Sequence, residues 1–276
     1  MNIKLFACYY TTSLVRSSDI VVPLHVGKDA YHTDLKMIAD NTGDHISAKN
    51  PFFCELTATY WIWKNVKADV VGLFHYRRYL NFANSAEMVH KMSPDFFDRF
   101  GITANNIESI LKEYDIIVPK PTRSKGKSVF EKYAATHNKS DMERVLDIIK
   151  SKYPKQYPAA ENALKGTGSI YLANILIARK KVFDEYAAWL FDILFELESQ
   201  IQADVEQRES YQKRAYGFMG ERLMGVFLAT HPYLKVKQLP MIMIETNTKK
   251  WLKYVLRQAK RKFLTAIGLG KKKWKE

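Results

Sequence analysis

Short apolar segments with the length of buried strands alternate with longer helical segments along most of this chain. This alternation limits the possible folds more than any other feature. The apolar segments lie at residues 3–9, 20–24, 70–74 and 115–118. Strands that alternate with helices are typical of α/β proteins with a mainly parallel sheet. We therefore expect a Rossmann-like, mainly parallel sheet that is flanked by helices.

The second half of the chain continues this pattern. An apolar segment at residues 170–178 is typical of a buried strand that Asn174 interrupts. Helices are expected at about residues 181–201 and 217–228, and a last strand is expected near residues 235–244.

The composition favours one large domain with a tail. The chain has 276 residues and is 47% hydrophobic, which is ample for a sizeable core. Cys8 and Cys54 are the only cysteines and no secretory leader is evident, so we expect a cytoplasmic protein without disulfides. No apolar run approaches ~18 residues, so we expect no helix that spans a membrane.

The positive charge is concentrated at the C-terminus. The formal net charge is +14, but residues 249–276 hold eleven Lys and Arg against one Glu, a net charge of +10. The first 248 residues therefore carry only +4, which argues against nucleic acid as a partner. We accordingly divide the chain into a main domain, residues 1–248, and a basic tail, residues 249–276.

The tail has the pattern of a basic amphipathic helix. Apolar residues recur along one helical face, with a tryptophan near each end: Leu252, Leu256, Ala259, Phe263 and Ile267, with Trp251 and Trp274. Such a helix is typical of one that lies on an anionic membrane surface, where each Lys or Arg adds up to ~1 kcal/mol of attraction. The alternative is that the helix packs on the main domain and leaves its basic face in water.

Residues 43–80 combine an acidic turn, an aromatic helix and a basic strand end. A helix is expected from Pro51 to about residue 65, with Asn50 as its cap. The following strand ends in the basic run His75-Tyr76-Arg77-Arg78. Ligands of open α/β sheets bind outside the carboxyl ends of the strands, so this run would lie where a substrate binds.

The adjacent arginines of the basic run suit a doubly negative ligand, because guanidinium groups match phosphate oxygens with a planar fork of donors. Side chains of an extended strand alternate between its two sides. His75 and Arg77 would thus face one side of the strand, and Tyr76 and Arg78 would face the opposite side. At most one of these pairs needs to face the ligand. The alternative is that both arginines pair with carboxylates on the surface.

Several strings, taken together and in order, resemble one bacterial family across about residues 3–245. They are GDHISAKNPFFCELTATYWIWKN, VGLFHYRRYL, YDIIVPKP, GSIYLANILIARKKVFDEYAAWLFDILFELE and YGFMGERLMGVFL. The family is catalogued as domain of unknown function 4422, is associated with capsular and exopolysaccharide synthesis, and is regarded as glycosyltransferase-like. The resemblance implies a glycosyltransferase A-type fold, with residues 1–248 as the catalytic domain, and a sugar-nucleotide donor.

Many enzymes with that fold hold a divalent metal on an Asp-x-Asp motif after a strand, but this chain contains no Asp-x-Asp. Where the resemblance implies that motif, the chain has the basic run of residues 75–78. We therefore expect cationic side chains to replace the metal in stabilising the departing diphosphate. No metal or other cofactor is predicted, and a UDP-sugar enters as the donor substrate.

Transfer with inversion needs a group that takes the proton from the acceptor hydroxyl. Glu221 is the first choice, because the resemblance implies a base where a Gly-rich loop, here Tyr216-Gly-Phe-Met-Gly, leads into a helix. Asp44 and His75 are the other catalytic candidates. The alternative for Glu221 is a carboxylate that favours the helix dipole and pairs with Arg222.

The remaining site predictions concern donor and acceptor. Thr11 and Thr12 end the first strand, where the base and ribose of similar enzymes lie. Donor-binding residues are expected at Thr11, Thr12, Lys49, Asn50, Tyr76, Arg77 and Arg78. Residues that bind the acceptor or a sugar are expected at Tyr133, His137, Gly168, Ser169 and Asn174.

The resemblance thus predicts a hexosyltransferase, peripheral on the inner face of the bacterial cytoplasmic membrane. It would move a hexose such as galactose, as pyranose or furanose, from a nucleoside diphosphate to a lipid-linked saccharide in capsule, exopolysaccharide or O-antigen (lipopolysaccharide) synthesis. One alternative is a non-enzymatic adaptor that binds lipid or nucleic acid through its basic tail. A further alternative, a phosphate-ester hydrolase using the basic run, lacks a suitable nucleophile.

Overall fold

The computed structural model of the chain describes residues 1–83, 85–123, 126–166 and 169–266. The strands of this part form one ten-stranded sheet and a two-stranded ribbon. They are β1 (Ile3–Tyr9), β2 (Val21–His25), β3 (Ile38–Ala39), β4 (Val70–His75), β5 (Arg78–Leu80), β6 (Glu87–Val89), β7 (Ile116–Pro119), β8 (Thr122–Arg123), β9 (Ser169–Ile170), β10 (Leu176–Arg179), β11 (Val236–Leu239) and β12 (Met241–Ile244).

Helices connect these strands and cover the sheet. They are α1 (Asn50–Phe53), α2 (Leu56–Asn65), α3 (Phe96–Arg99), α4 (Ala104–Leu111), α5 (Val129–Ala134), α6 (Lys139–Lys152), α7 (Tyr157–Lys165), α8 (Lys180–Val205), α9 (Ala215–Thr230) and α10 (Thr248–Ala266). Three short 3-10 turns lie at Ser47–Lys49, Leu172–Asn174 and Gln212–Arg214.

Several helices begin at side-chain caps that the local sequence supplies. Ser128 starts α5 with a capping box, in which its hydroxyl accepts from the Glu131 N–H at 3.1 Å and the Glu131 carboxylate accepts from the Ser128 N–H at 2.7 Å. Thr103 and Asn138 cap α4 and α6 without a capping box, through side chains that accept from a backbone N–H. Each such cap stabilises its helix by about 1 kcal/mol.

The main path of the large sheet runs in the order β11-β7-β10-β4-β1-β2-β3. β1 is parallel to β2 and β4, and β7 is parallel to β11, whereas β10 is antiparallel to both of its neighbours. At one side, β5 pairs with β12, which also pairs with β6. The prediction of a mainly parallel α/β sheet flanked by helices is confirmed.

Side chains of the central strands alternate between two apolar cores, one on each face of the sheet. Along β1, Leu5 and Ala7 join the core under α3 and α4, whereas Phe6 and Cys8 join the core under α2 and α6 to α9. Burial of each large aliphatic or aromatic side chain contributes about 1.5–3 kcal/mol. The last residue of β4, His75, pairs with Cys8 and continues the alternation on the α2 and α9 face.

Three predicted elements are divided in the structure. The helix expected from Pro51 breaks at Cys54, whose φ of 53° ends α1. The strand expected at 170–178 divides into β9 and β10, because Ala173 and Asn174 have φ angles of 76° and 47°. The final strand divides into β11 and β12 at Pro240, which has no N–H to donate.

Two residues near the broken helix differ from their predicted roles. Asn50 is the first residue of α1 rather than its cap, and its amide donates to the Cys54 carbonyl at 2.7 Å. The predicted Gly-rich loop before Glu221 is already the first part of α9. Its glycines allow close packing instead, since a Cβ on Gly217 would lie 2.8 Å from Cys54 Sγ.

The described part of the basic tail belongs to α10, which contacts β6 and the adjacent His90. The ring of Trp251 lies 5.1 Å from that of His90, and the Tyr254 hydroxyl accepts from the Met88 N–H at 3.3 Å. Leu252 and Leu256 are 47% and 70% exposed. The predicted face also includes Ile267 and Trp274, which lie outside the described residues. Among the helices in the described ranges, none is long and apolar enough to cross a membrane.

Candidate active site

A cavity of about 340 Å³ opens beside the carboxyl ends of β1 and β4, between these strands and helices α1 and α9. Its volume lies in the range of small-molecule sites. Its lining includes two carboxylates, three guanidinium groups and one imidazole: Glu55, Glu221, Arg77, Arg78, Arg214 and His75. Its aromatic and amide lining includes Tyr10, Tyr31, Tyr76, Phe218 and Asn50.

The basic run reaches this cavity because the chain reverses direction inside it. His75 ends β4 and pairs with Arg78, the first residue of β5, so Tyr76 and Arg77 form the turn between the two strands. All four side chains line the cavity. The prediction that only one pair needs to face it assumed a continuing strand, and the turn removes that restriction.

The three arginines of the lining carry charge without an acidic partner. Within the described part of the chain, no carboxylate oxygen lies within 4.0 Å of the Arg77, Arg78 or Arg214 guanidinium. Arg77 instead lies 4.9 Å from the centre of the Tyr76 ring, and Arg214 donates to Cys54 Sγ at 3.1 Å. Among the described residues, Arg77 and Arg78 therefore do not form the surface ion pairs of the alternative interpretation. Their guanidinium N–H groups are open to an anion.

Glu221 projects into the cavity from α9. Its Oε1 accepts from the Ala173 N–H at 2.6 Å, and its Oε2 accepts from Arg222 Nη1 at 2.8 Å. Burial raises the pKa of Glu221 above its ordinary value, although Arg222 and the Ala173 N–H act in the opposite direction. The carboxylate thus both pairs with Arg222 and lines the cavity, and its proton affinity is increased.

Glu55, at the junction of α1 and α2, is the cavity carboxylate that sequence reasoning missed. Its Oε1 accepts from Asn174 Nδ2 at 2.7 Å and lies 3.5 Å from His75 Nε2. Burial acts to raise the pKa of Glu55, but the electrostatic interaction with His75 and the hydrogen bond from Asn174 lower it below its ordinary value. The cavity therefore holds two carboxylates whose pKa values move in opposite directions.

Two predicted polar residues lie outside the cavity lining. The Asp44 carboxylate is exposed and accepts from the Tyr60 hydroxyl at 3.0 Å. The Lys49 ammonium lies 2.5 Å from Glu198 Oε1 on α8. Asp44 thus has a partner on α2, and Lys49 has a partner on α8.

The predicted donor residues near β1 lie close to the cavity in sequence. Thr11 and Thr12 directly follow Tyr10, which lines it, but neither threonine belongs to the lining. Asn50 does belong, with its amide committed to Cys54 O and Thr57 Oγ1. The lining beside the carboxyl end of β1 thus includes Tyr10, and the donor role of Thr11 and Thr12 stays a prediction.

The predicted acceptor residues are distributed over several places. Tyr133 is buried and its hydroxyl donates to Asp141 at 3.3 Å. The His137 ring lies 4.3 Å from that of Phe218, so it stands behind a residue of the cavity lining. Ser169 belongs to β9, outside the lining, and Gly168 lies outside the described residues. Asn174 is buried and donates from Nδ2 to two lining residues, to Glu55 Oε1 at 2.7 Å and to the Gly217 carbonyl at 3.1 Å.

Arg214 and Tyr31 are among the further lining residues that the sequence did not single out. Arg214 directly precedes α9, and Tyr31 follows the Gly27 turn after β2. A cation directly before a helix that carries a predicted base was a signal that could have identified Arg214. Tyr31 had no comparable signal. In the described ranges, no group of three or more His, Cys, Asp or Glu could hold a metal ion.

Comparison with known proteins gives one family and one similar structure. The family described as "Domain of unknown function (DUF4422)" matches residues 4–232. The apo structure of a protein named as the WbbM bifunctional glycosyltransferase is 30% identical in sequence, with a TM-score of 0.82 over 89% of this chain. This chain covers 46% of that protein, about half its length. No curated protein matches this chain significantly.

Proposed function

Because this chain belongs to the DUF4422 family, as its sequence strings predicted, we propose that it is a glycosyltransferase that uses a nucleoside-diphosphate sugar. The fold supports this proposal, since a protein named as a bifunctional glycosyltransferase has the same fold over most of this chain. The proposed activity belongs to the cavity beside β1 and β4.

The observation that carries the proposal is the convergence of Arg77, Arg78 and Arg214 on one cavity without acidic partners in the described residues. A pyrophosphate supplies the negative charge that these groups lack. A hydrogen bond between charged groups contributes about 1.5–3 kcal/mol. The arginines would hold the diphosphate of the donor and stabilise it as it departs, without need of a metal ion.

Glu221 is the proposed base. It would accept the proton of the acceptor hydroxyl while that oxygen bonds to the anomeric carbon of the sugar. The bond from the anomeric carbon to the diphosphate breaks as the new bond forms, and its electron pair leaves with the nucleotide toward the arginines. A carboxylate with a raised pKa suits this role, because it has a higher proton affinity.

The donor and acceptor are proposed as in the sequence-based hypothesis. The donor is UDP carrying a hexose such as galactose, with the uracil near Tyr10 and Tyr31 at the cavity rim. Aromatic rings suit a base because they stack on its face. The acceptor is a lipid-linked saccharide of capsule, exopolysaccharide or O-antigen synthesis.

Helix α10 is the proposed contact with the inner face of the cytoplasmic membrane. Trp251 and Tyr254 attach one side of it to β6, which leaves Leu252 and Leu256 exposed among lysines and arginines. Exposed leucines beside basic residues suit insertion between acidic headgroups. This contact would bring the cavity close to a lipid-linked acceptor.

Thermal unfolding of the whole chain with a panel of nucleotides and nucleotide sugars tests the proposal. UDP and one UDP-sugar should raise the unfolding temperature, since a ligand at a hundred times its Kd adds about 2.7 kcal/mol to the folded state. Transfer of labelled sugar to a membrane extract would then establish the activity. If no nucleotide stabilises the chain, this result would favour the adaptor hypothesis. Steady release of phosphate without an acceptor would favour the hydrolase hypothesis.

A further inference from the structure

The turn between β9 and β10 holds both carboxylates of the cavity. The Ala173 N–H donates to Glu221 Oε1 at 2.6 Å, and the next residue, Asn174, donates from Nδ2 to Glu55 Oε1 at 2.7 Å. Glu221 lies on α9 and Glu55 lies between α1 and α2. Two consecutive residues of one turn thus connect acidic groups on two separate helices.

The conformation of Asn174 suits this connection. Its φ of 47° is left-handed, which asparagine tolerates better than most residues. Its Nδ2 also donates to the Gly217 carbonyl at 3.1 Å, so both amide hydrogens have acceptors. Its Oδ1 has no hydrogen-bond partner in the described residues and would lie 2.7 Å from a Cβ on Gly220. The opposite amide orientation would place an oxygen against two acceptors.

We propose that Asn174 is a positioning residue, whose amide fixes Glu55 beside His75 while the N–H of Ala173 in the same turn fixes Glu221 on α9. The consequence for the sugar transfer rests on the proposed function, but the arrangement of the two carboxylates does not. Asn174 is 1% exposed and reaches the cavity through Glu55, so it acts through the carboxylate and not on substrate.

Other charged and titratable groups also face Glu55, and they set the background against which Asn174 acts. Glu221 and Cys54 are acidic groups near it, and the cations are His75 and Arg214. The weakly acidic groups Cys8 and Tyr186 lie toward β1 and α8. None of these groups is altered by a substitution at residue 174, so a change in Glu55 titration reports on the side chain at that position.

Asn174→Asp is the sharpest variant, because aspartate has the same shape and also tolerates the left-handed region. It replaces the donor to Glu55 with a second carboxylate, and two carboxylates that share a site raise the pKa of one of them. Asn174→Gly keeps the turn and only removes the amide. Ala173→Gly is the matched control, since it keeps the N–H to Glu221 and permits a φ of 76°.

The experiment follows the carboxyl carbons of Glu55 and Glu221 by ¹³C NMR titration of the whole chain. Glu55 should bind its proton at least about tenfold more tightly in Asn174→Asp, and more tightly to a smaller extent in Asn174→Gly. Ala173→Gly should titrate as the wild type. The inference is overturned if Glu55 titrates within about twofold of wild type in both Asn174 variants. The Gly variant decides the result if the Asp variant does not fold.

Activity gives a second readout that a merely structural role would not change. As pH falls, one proton shared by Glu55 and the introduced aspartate restores a donor, so the kcat of the Asn174→Asp variant relative to wild type should rise. A ratio that is constant with pH contradicts the positioning role. If the wild type transfers no sugar from any donor, the proposed function fails, whereas the NMR titration still decides the inference about Asn174.

Discussion

The Nε2 atom of His75 lies 3.5 Å from Oε1 of Glu55, which joins the last residue of β4 to the junction between α1 and α2. Both side chains are nearly buried, at 14% and 12% exposure. The pair favours an ionised Glu55, whereas burial gives Glu221 a raised pKa. Environments that move two carboxyl pKa values apart are typical of sites where the two groups have different roles.

Glu221→Gln tests the proposed base. We expect kcat to fall by about 10² to 10⁴ with little change in donor KM, because the amide cannot accept a proton from the acceptor. Initial rates of sugar transfer measure this. Glu113→Gln, at an exposed carboxylate after α4, is the control and should leave the rate unchanged. A loss of less than about tenfold in the Glu221 variant would exclude this role.

The two carboxylates should make opposite contributions to stability as pH changes. The pKa of Glu55 is lowered in the folded state, so its contribution is present above the unfolded pKa and is lost as pH falls through the folded pKa. The pKa of Glu221 is raised, so its contribution is present below the unfolded pKa and is lost as pH rises through the folded pKa.

Urea unfolding of wild type, Glu55→Gln and Glu221→Gln at several pH values measures these contributions. With rising pH, the free energy of unfolding of wild type should increase relative to Glu55→Gln. Over the same rise, it should decrease relative to Glu221→Gln. Two differences that move in the same direction would contradict the assigned shifts.

Arg78→Ala should weaken UDP binding by about 10- to 100-fold, the loss of one charged hydrogen bond of about 1.5–3 kcal/mol. Arg78→Lys should recover only part of the affinity, because an ammonium cannot form the bidentate contact. Calorimetric titration measures both. Arg144→Ala, on the exposed face of α6, is the matched control. If the Arg78 and Arg144 variants bind UDP with equal affinity, the diphosphate does not bind in this cavity.

Sugar transfer should persist in the presence of a chelator. The reason is that guanidinium groups of the cavity supply the positive charge that a divalent ion would otherwise bring to the diphosphate. Rates measured with EDTA, and again after addition of manganese, test this. Activity that disappears with EDTA and returns with manganese would overturn the prediction.

The double variant Leu252→Ser and Leu256→Ser should bind anionic vesicles at least about tenfold more weakly, because the helix loses two exposed leucines that would enter the bilayer. Co-sedimentation with phosphatidylglycerol vesicles measures this. Ile38→Ser, which removes a residue that is 52% exposed on β3, is the control. Equal binding of the double variant and the control would show that α10 has another role.

Local sequence patterns determined much of the fold and one wall of the candidate site. The first strand was predicted at the residues that form β1, and β4 differs only by the addition of His75. These strands could be predicted because the apolar side chains that bury them belong to the strand itself and are visible in the sequence. The basic run after β4 was placed at a strand end for the same reason, and its residues line the cavity.

The tertiary structure alone decided which distant residues complete the cavity. Arg214 meets Cys54 across 160 positions, and Asn174 meets Glu55 across 119. These contacts depend on how α9 packs against α1 and on left-handed turns at Cys54 and Asn174. Hydrophobic periodicity records which face of an element is buried, but it carries no information about which element lies against that face. The sequence therefore determined the central strands β1 and β4 and the charge, and packing determined the partners of Glu55 and Glu221.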